Sequence, residues 1–175
     1  MKTTGMIRRI DDLGRIVIPK EIRKNLHIKD GESLEIFLEE EKIVLQKHSM
    51  IKQENVLFNH CVNAISLKLK CEVYVTNLDK LLFSSVKNKE IGQGKEISEF
   101  LETIISRRGF FSETTKKDIQ LTANDKTSGY FEIRPISPNG DIEGLVIFVF
   151  KNPFDTELNK LIDFMVMLLQ TFLEK

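Results

Sequence analysis

The stretch Thr4-Gly5-Met6-Ile7-Arg8-Arg9-Ile10-Asp11-Asp12-Leu13-Gly14-Arg15-Ile16-Val17-Ile18-Pro19-Lys20-Glu21-Ile22-Arg23 decides how the chain is read. Met6 to Ile10 and Arg15 to Ile18 are short runs rich in Ile and Val, the composition of strands. Asp11-Asp12-Leu13-Gly14 separates them, and Gly14 can supply the positive φ of a tight connection. Pro19 suits the first turn of a helix running to about Leu26, where its missing N–H would be unpaired anyway. Asp30-Gly31 ends that excursion. Leu34 to Leu38 and Ile43 to Gln46 then read as two more strands turned by Glu39-Glu40-Glu41.

Working outward, four short strands and one short helix make a unit, residues 1–50, that can bury little of its own surface and leaves strand edges unpaired. Pairing these strands with the same strands of a second copy would close the sheet and supply the missing core, so an intertwined homodimer is expected.

The 26 basic and 26 acidic residues cancel, which excludes a globally basic nucleic-acid coat and leaves any such affinity to local charge separation. That separation exists. Lys2, Arg8, Arg9, Arg15, Lys20, Arg23, Lys24 and Lys29 face only Asp11, Asp12 and Glu21 in the first 29 residues, whereas positions 30–41 hold six acidic residues and no basic one. A polarised small domain attracts phosphates on one side and repels them on the other. The planar fork of arginine can bond phosphate or the O6/N7 edge of guanine, which singles out Arg8, Arg15 and Arg23. The competing reading is a solvated face whose charges pair among themselves.

The quoted stretch, continuing through Leu26, Ile28, Gly31, Leu34-Glu35-Ile36 and Leu45, resembles the swapped-hairpin DNA-binding domain of the AbrB family of transition-state regulators. The resemblance implies an all-β, swapped-hairpin dimeric barrel with a short helix, its basic surface laid on double-stranded DNA. By position it implies DNA contacts from Arg8, Arg15, Arg23 and Lys24, with Arg9 and Lys20 as secondary contacts. Lys24 stands where the family often has a second arginine. A point charge there serves phosphate contact better than base readout.

Residues 51–175 read as an α+β domain. Helical spacing runs from about Met50 to Leu69, strand-like runs follow at Glu72 to Thr76 and Leu81 to Ser85, and a helix is expected from about Glu96 to Arg107. A polar stretch reaches Thr127 with one short strand at Ile119 to Leu121. Strands at Tyr130 to Ile136 and Ile142 to Phe150 flank Asn139-Gly140, a strong hairpin signal. The closing helix, about Phe154 to Leu173, carries Leu158, Leu161, Ile162, Met165, Leu168, Leu169 and Phe172 on one stripe, more apolar surface than one sheet face needs, which points to a tetramer built through this helix. Asn139-Gly140-Asp141 with Gly144 and this layout resemble the GAF-like C-terminal domain of the family's larger, sporulation-linked members. That resemblance implies a possible small-molecule ligand, not identifiable from sequence, near residues 77–85, 96–107 and 110–129.

No catalytic or metal site is expected, and no cofactor. Cys61 and Cys71 lack a neighbouring Cys/His pair at zinc spacing, and His27, His48 and His60 are scattered. Gly92-Gln93-Gly94-Lys95 lacks the spacing of a P-loop and reads as a flexible loop. No apolar run reaches the roughly 18–20 residues of a membrane span, and no signal-peptide stretch opens the chain, so a cytoplasmic protein without a membrane partner is expected. The expected function is transcriptional regulation by sequence-specific DNA binding, activating or repressing, with sporulation genes implied by kinship. The alternative is an antitoxin-like DNA-binding protein that neutralises a toxin, since antitoxins share the swapped-hairpin fold.

Overall fold

The computed structural model describes residues 5–53, 55–86 and 92–174, and the chain divides into two compact units between His48 and Ser49. The first unit holds α1 (Lys20–Asn25), β1 (Leu34–Glu39) and β2 (Lys42–Lys47). Pro19 is the N-cap of α1, one position before the place expected for it, with φ −56° and ψ 146°. The helix stops where His27 takes a left-handed φ of 52° and Ile28 N–H returns to the Arg23 carbonyl at 2.8 Å. Strands β1 and β2 pair antiparallel from Leu34↔Lys47 to Glu39↔Lys42, and Glu40 turns between them at φ 53°.

The two strands expected at Met6 to Ile10 and Arg15 to Ile18 are not strands in this chain. The segment doubles back through the Asp11 turn, with Asp11 N–H on the Arg15 carbonyl at 3.0 Å and Gly14, at φ 74°, donating to the Asp11 carbonyl at 2.9 Å. Strand character needs a neighbouring ladder, and neither run meets one. Among the described residues of this unit only Pro19 is buried.

The second unit comprises α2 (Met50–Gln53), α3 (Asn55–Leu69), β3 (Glu72–Thr76), β4 (Leu81–Ser84), α4 (Glu99–Ser106), β5 (Phe111–Gln120), β6 (Lys126–Ile136), β7 (Gly144–Phe150) and α5 (Thr156–Thr171). The five strands form one antiparallel sheet in the order β4-β3-β7-β6-β5. Central β7 is buried along its whole length, as expected for an uninterrupted run of Leu, Val, Ile and Phe. Its alternate side chains serve two cores. Val146 and Phe148 join Val73, Val75, Phe58, Val62, Ile162, Val166 and Leu169 on the face covered by α3 and α5. Leu145 and Ile147 join Tyr74, Ile133, Leu101, Ile104 and Ile105 beneath α4. This is the α+β layout expected from the sequence.

Local chemistry explains the boundaries. Ser98 caps α4 by accepting from Leu101 N–H at 3.4 Å, and Asp155 caps α5 by accepting from Leu158 N–H at 2.9 Å. Asn139 and Gly140 both take positive φ, 57° and 86°, in the tight connection between β6 and β7. Much of the polar stretch read as loop with a strand at Ile119 to Leu121 is the ten-residue strand β5. It pairs with β6 alone and lies at the sheet edge, so its side chains are mostly exposed and the alternation that betrays a strand is missing. Residues 92–95 form a hydrogen-bonded turn, with Gly94 N–H on the Leu81 carbonyl at 2.7 Å and Gln93 Nε2 on the Leu82 carbonyl at 2.8 Å.

Candidate nucleic-acid interface

The six basic residues singled out by the sequence lie on the turn-and-helix segment of the first unit, and five of them are exposed. Arg8 donates Nη1–H to the neighbouring Ile7 carbonyl at 3.0 Å. Arg9, Lys20 and Lys24 have no ion-pair partner among the described residues. Arg23 is half-buried on α1 and pairs through Nη1 with Asp30 Oδ1. Arg15 leaves the turn with its side chain 71 % exposed and pairs with Asp11 at 2.8 Å.

Of the acidic stretch that follows, Glu32 and Glu35 are engaged within their own hairpin, whereas Asp30 pairs with Arg23. Glu32 meets Lys47 at 3.1 Å, and Glu35 meets His48 at 3.7 Å. The segregation of charge seen in the sequence therefore survives folding, and only Arg15 and Arg23 of the six carry acidic partners.

Those partners were missed by sequence reasoning, which treated Asp11 as a turn residue and Asp30 as a helix stop. Asp11 Oδ1 accepts from Leu13 N–H at 3.0 Å and Arg15 N–H at 2.8 Å, while Oδ2 accepts from Arg15 Nε at 2.8 Å. These bonds, the Arg15 backbone N–H first and its side chain next, hold the Asp11 carboxyl below its usual range. An acid four residues before an arginine across a Gly-ended turn is the signal that could have found it.

The same segment shows a shallow apolar concavity of about 550 Å³ lined by Met6, Ile7, Val17, Ile22, Leu26 and Leu45, among others. Ile7 is 87 % exposed, Val17 73 % and Leu38 80 %.

In the second unit the sequence-selected stripe of α5 divides. Ile162 and Leu169 are buried with Val166 and Leu173, whereas Leu168 and Phe172 are exposed beside Phe164 and Met167. Cys71 is buried, and that burial, reinforced by Glu72, pushes its thiol up to about 12, the opposite of what a nucleophile needs. Cys61 is raised by burial as well.

Two family profiles match. Antidote-toxin recognition MazE, bacterial antitoxin, covers residues 7–53, and Stage V sporulation protein T C-terminal, transcription factor, covers residues 57–174. The chain is 36 % identical over 154 residues to Stage V sporulation protein T of Bacillus subtilis (strain 168), spanning 87 % of this chain and 86 % of that one. It is 50 % identical over 48 residues to the Transition state regulatory protein AbrB of the same organism, covering 27 % of this chain and half of that one. Among solved structures it is similar to the N-domain of the transcription factor abrB, at 50 % identity over 27 % of this chain and 92 % of that one, with a TM-score of 0.26. It is also similar to the cofactor binding GAF domain of the nutrient sensor CodY from Clostridium difficile, at 13 % identity over 69 % of this chain and 88 % of that one, with a TM-score of 0.48. With the second unit matched almost end to end and the longer relative matched across both units, the chain belongs to the stage V sporulation protein T family of transcription factors.

Proposed function

We propose that two copies of this protein grip double-stranded DNA through Arg8, Arg9, Arg15, Lys20, Arg23 and Lys24 and thereby regulate transcription of sporulation genes in the cytoplasm. The observation that carries this reading is the exposed basic group, four of whose six members carry no acidic partner among the described residues. Membership in a family of transcription factors, not enzymes, supports it. The homodimer follows from the apolar surface: a unit with one buried residue among those described and an open apolar concavity gains its core from a second copy's Met6 to Ile10 and Arg15 to Ile18 runs.

The second unit serves assembly in this reading. Phe164 at 51 % exposure and Met167 at 57 % lie with Leu168 and Phe172 on α5, a surface suited to joining two dimers into a tetramer. The α4 face is filled by Tyr74, Leu101, Ile104, Leu145 and Ile147, which favours assembly over sensing a small molecule there. The match of residues 7–53 to an antitoxin profile supports a second reading, neutralisation of a toxin, while the folded second unit and its match to a transcription-factor family favour the first.

The test is binding to promoter-length DNA across a salt series. If four of the six residues in each copy meet phosphate, eight contacts in a dimer give a log–log slope of about −7. Arg23→Ala is expected to weaken binding by about 1–3 kcal/mol at unchanged circular dichroism. A parent protein that does not bind DNA would leave the basic group merely solvated.

A further inference from the structure

The two ion-paired arginines are held differently, and the difference assigns them different tasks. Asp30 takes Arg23 by a distal nitrogen, Nη1, so that the outer edge of the guanidinium is already engaged. Asp11 takes Arg15 by Nε, the inner nitrogen, at 2.8 Å, and among the described residues neither Nη has a partner. A guanidinium gripped at Nε presents its two Nη groups as an open fork, the shape that bonds the O6 and N7 of guanine in a bidentate way.

The grip is built rather than incidental. An exposed ion pair is ordinarily weak because two long side chains must be immobilised. Here the carboxylate is already fixed by two backbone N–H groups, Leu13 at 3.0 Å and Arg15 at 2.8 Å, within a turn closed by Gly14 at φ 74°. Only the arginine is left to order. The same carboxylate lowers the positive potential at Arg15, which disfavours loose attachment to any passing phosphate.

We propose that Asp11 is a specificity-determining positioning residue: it aims the distal fork of Arg15 at a base edge and withholds that arginine from sequence-independent phosphate binding. This rests on the DNA-binding reading above. Arg15 thereby becomes a base reader, whereas Arg23, whose distal fork is shared with Asp30 through Nη1 while Nη2 and Nε have no partner among the described residues, serves as a phosphate anchor.

The experiment uses the full chain and Asp11→Asn, whose amide oxygen can still accept the two turn bonds while the negative charge that holds Arg15 is lost. Duplexes enriched by the parent protein from a random-sequence library are compared with poly(dA-dT), which has no guanine edge, over a salt series, for the parent, Asp11→Asn, Arg15→Ala and the double variant. Expected is at least a tenfold fall in the preference of Asp11→Asn for the enriched sequence, with a salt slope steeper by about two because each copy frees one arginine for phosphate. The loss should be absent when Asp11→Asn is added to Arg15→Ala. An unchanged preference and slope in Asp11→Asn, or the same change with Arg15 already removed, overturns the proposal. If Arg15→Ala binds both DNAs as the parent does, Arg15 is no contact and the proposal also falls, while DNA binding by the parent stands by itself. A parent that binds neither DNA marks failure of the DNA-binding reading.

Discussion

At the scale of the residue, the most exacting chemistry outside the basic group lies around Glu132. Its carboxylate is entirely buried on β6 and is met by Ser112 Oγ and Arg134 Nη1, while Arg134, 15 % exposed, reaches Asp163 on α5 at 3.2 Å and covers the ring of Phe110 at 4.9 Å. Removing one partner of a buried pair leaves the other charge uncompensated. Arg134→Met is therefore expected to destabilise the second unit by about 3–5 kcal/mol in urea unfolding. Asp163→Asn, at a 64 % exposed site, should stay within about 1 kcal/mol of the parent. Equal losses would mean that the bridge to α5, not the buried carboxylate, is what Arg134 serves.

Gly144 makes a sharper case. A Cβ there would stand 1.9 Å from the Thr76 carbonyl oxygen and 2.9 Å from Asn77 Cα, backbone atoms that cannot rotate aside. Gly144→Ala is expected to cost at least about 3 kcal/mol and to part β7 from β3. A variant of parental stability would show that the two strands can separate freely at that end. The sequence marked Gly144 only as part of a resemblance, because the close approach of a strand distant in sequence leaves no local trace. The basic residues were legible for the opposite reason: charge segregation within 41 positions is a local property. How each arginine is held was not, since it depends on which nitrogen meets the acid.

At the scale of the element, the sequence revealed what has a buried face and hid what has none. Strand β7, apolar throughout, was readable from composition, and helix α5, opened by the capping Asp155, from the spacing of its apolar residues. Strand β5 was not, because this edge strand, exposed along most of its length, carries Ser, Thr, Lys and Asp in no alternating order. The opposite error occurred at Met6 to Ile10 and Arg15 to Ile18, where strand-like composition met no ladder within the chain. Propensity says which conformation a segment favours, and only a partner makes it a strand. The cap gives a direct test: Asp155→Ala removes the acceptor for Leu158 N–H and should cost about 1 kcal/mol. Asp155→Asn should recover most of it, and failure to do so would assign the effect to the charge at the helix N-terminus rather than to the hydrogen bond.

At the scale of the whole molecule, pH and concentration report on different parts. Glu113 is drawn down to about 2, chiefly by its bond from Lys117, and Asp118 and Asp125 are lowered by bonds from Lys126 and Thr122 respectively. Carboxyls depressed in the folded state add stability that is complete above their ordinary range and is lost as pH falls through the folded values. The second unit should thus hold a plateau near neutrality and weaken from about pH 4.5 towards pH 2. Glu113→Gln should make that acid limb shallower in a urea series at several pH values. The first unit is governed by concentration. If its core is completed by a second copy, its unfolding produces two chains from one dimer, and each tenfold dilution removes about 1.4 kcal/mol of apparent stability. For a pair of such small units that lowers the midpoint by roughly 5–10 °C. Calorimetry of the full chain over a hundredfold range of concentration should show one transition that moves in this way. The transition of the second unit should move with it only if α5 joins dimers, and Leu168→Glu should then halt that movement and halve the mass measured by sedimentation. A first transition indifferent to dilution would mean that the exposed Ile7, Val17 and Leu38 are solvated in a folded monomer, and the paired grip on DNA would have no structural basis.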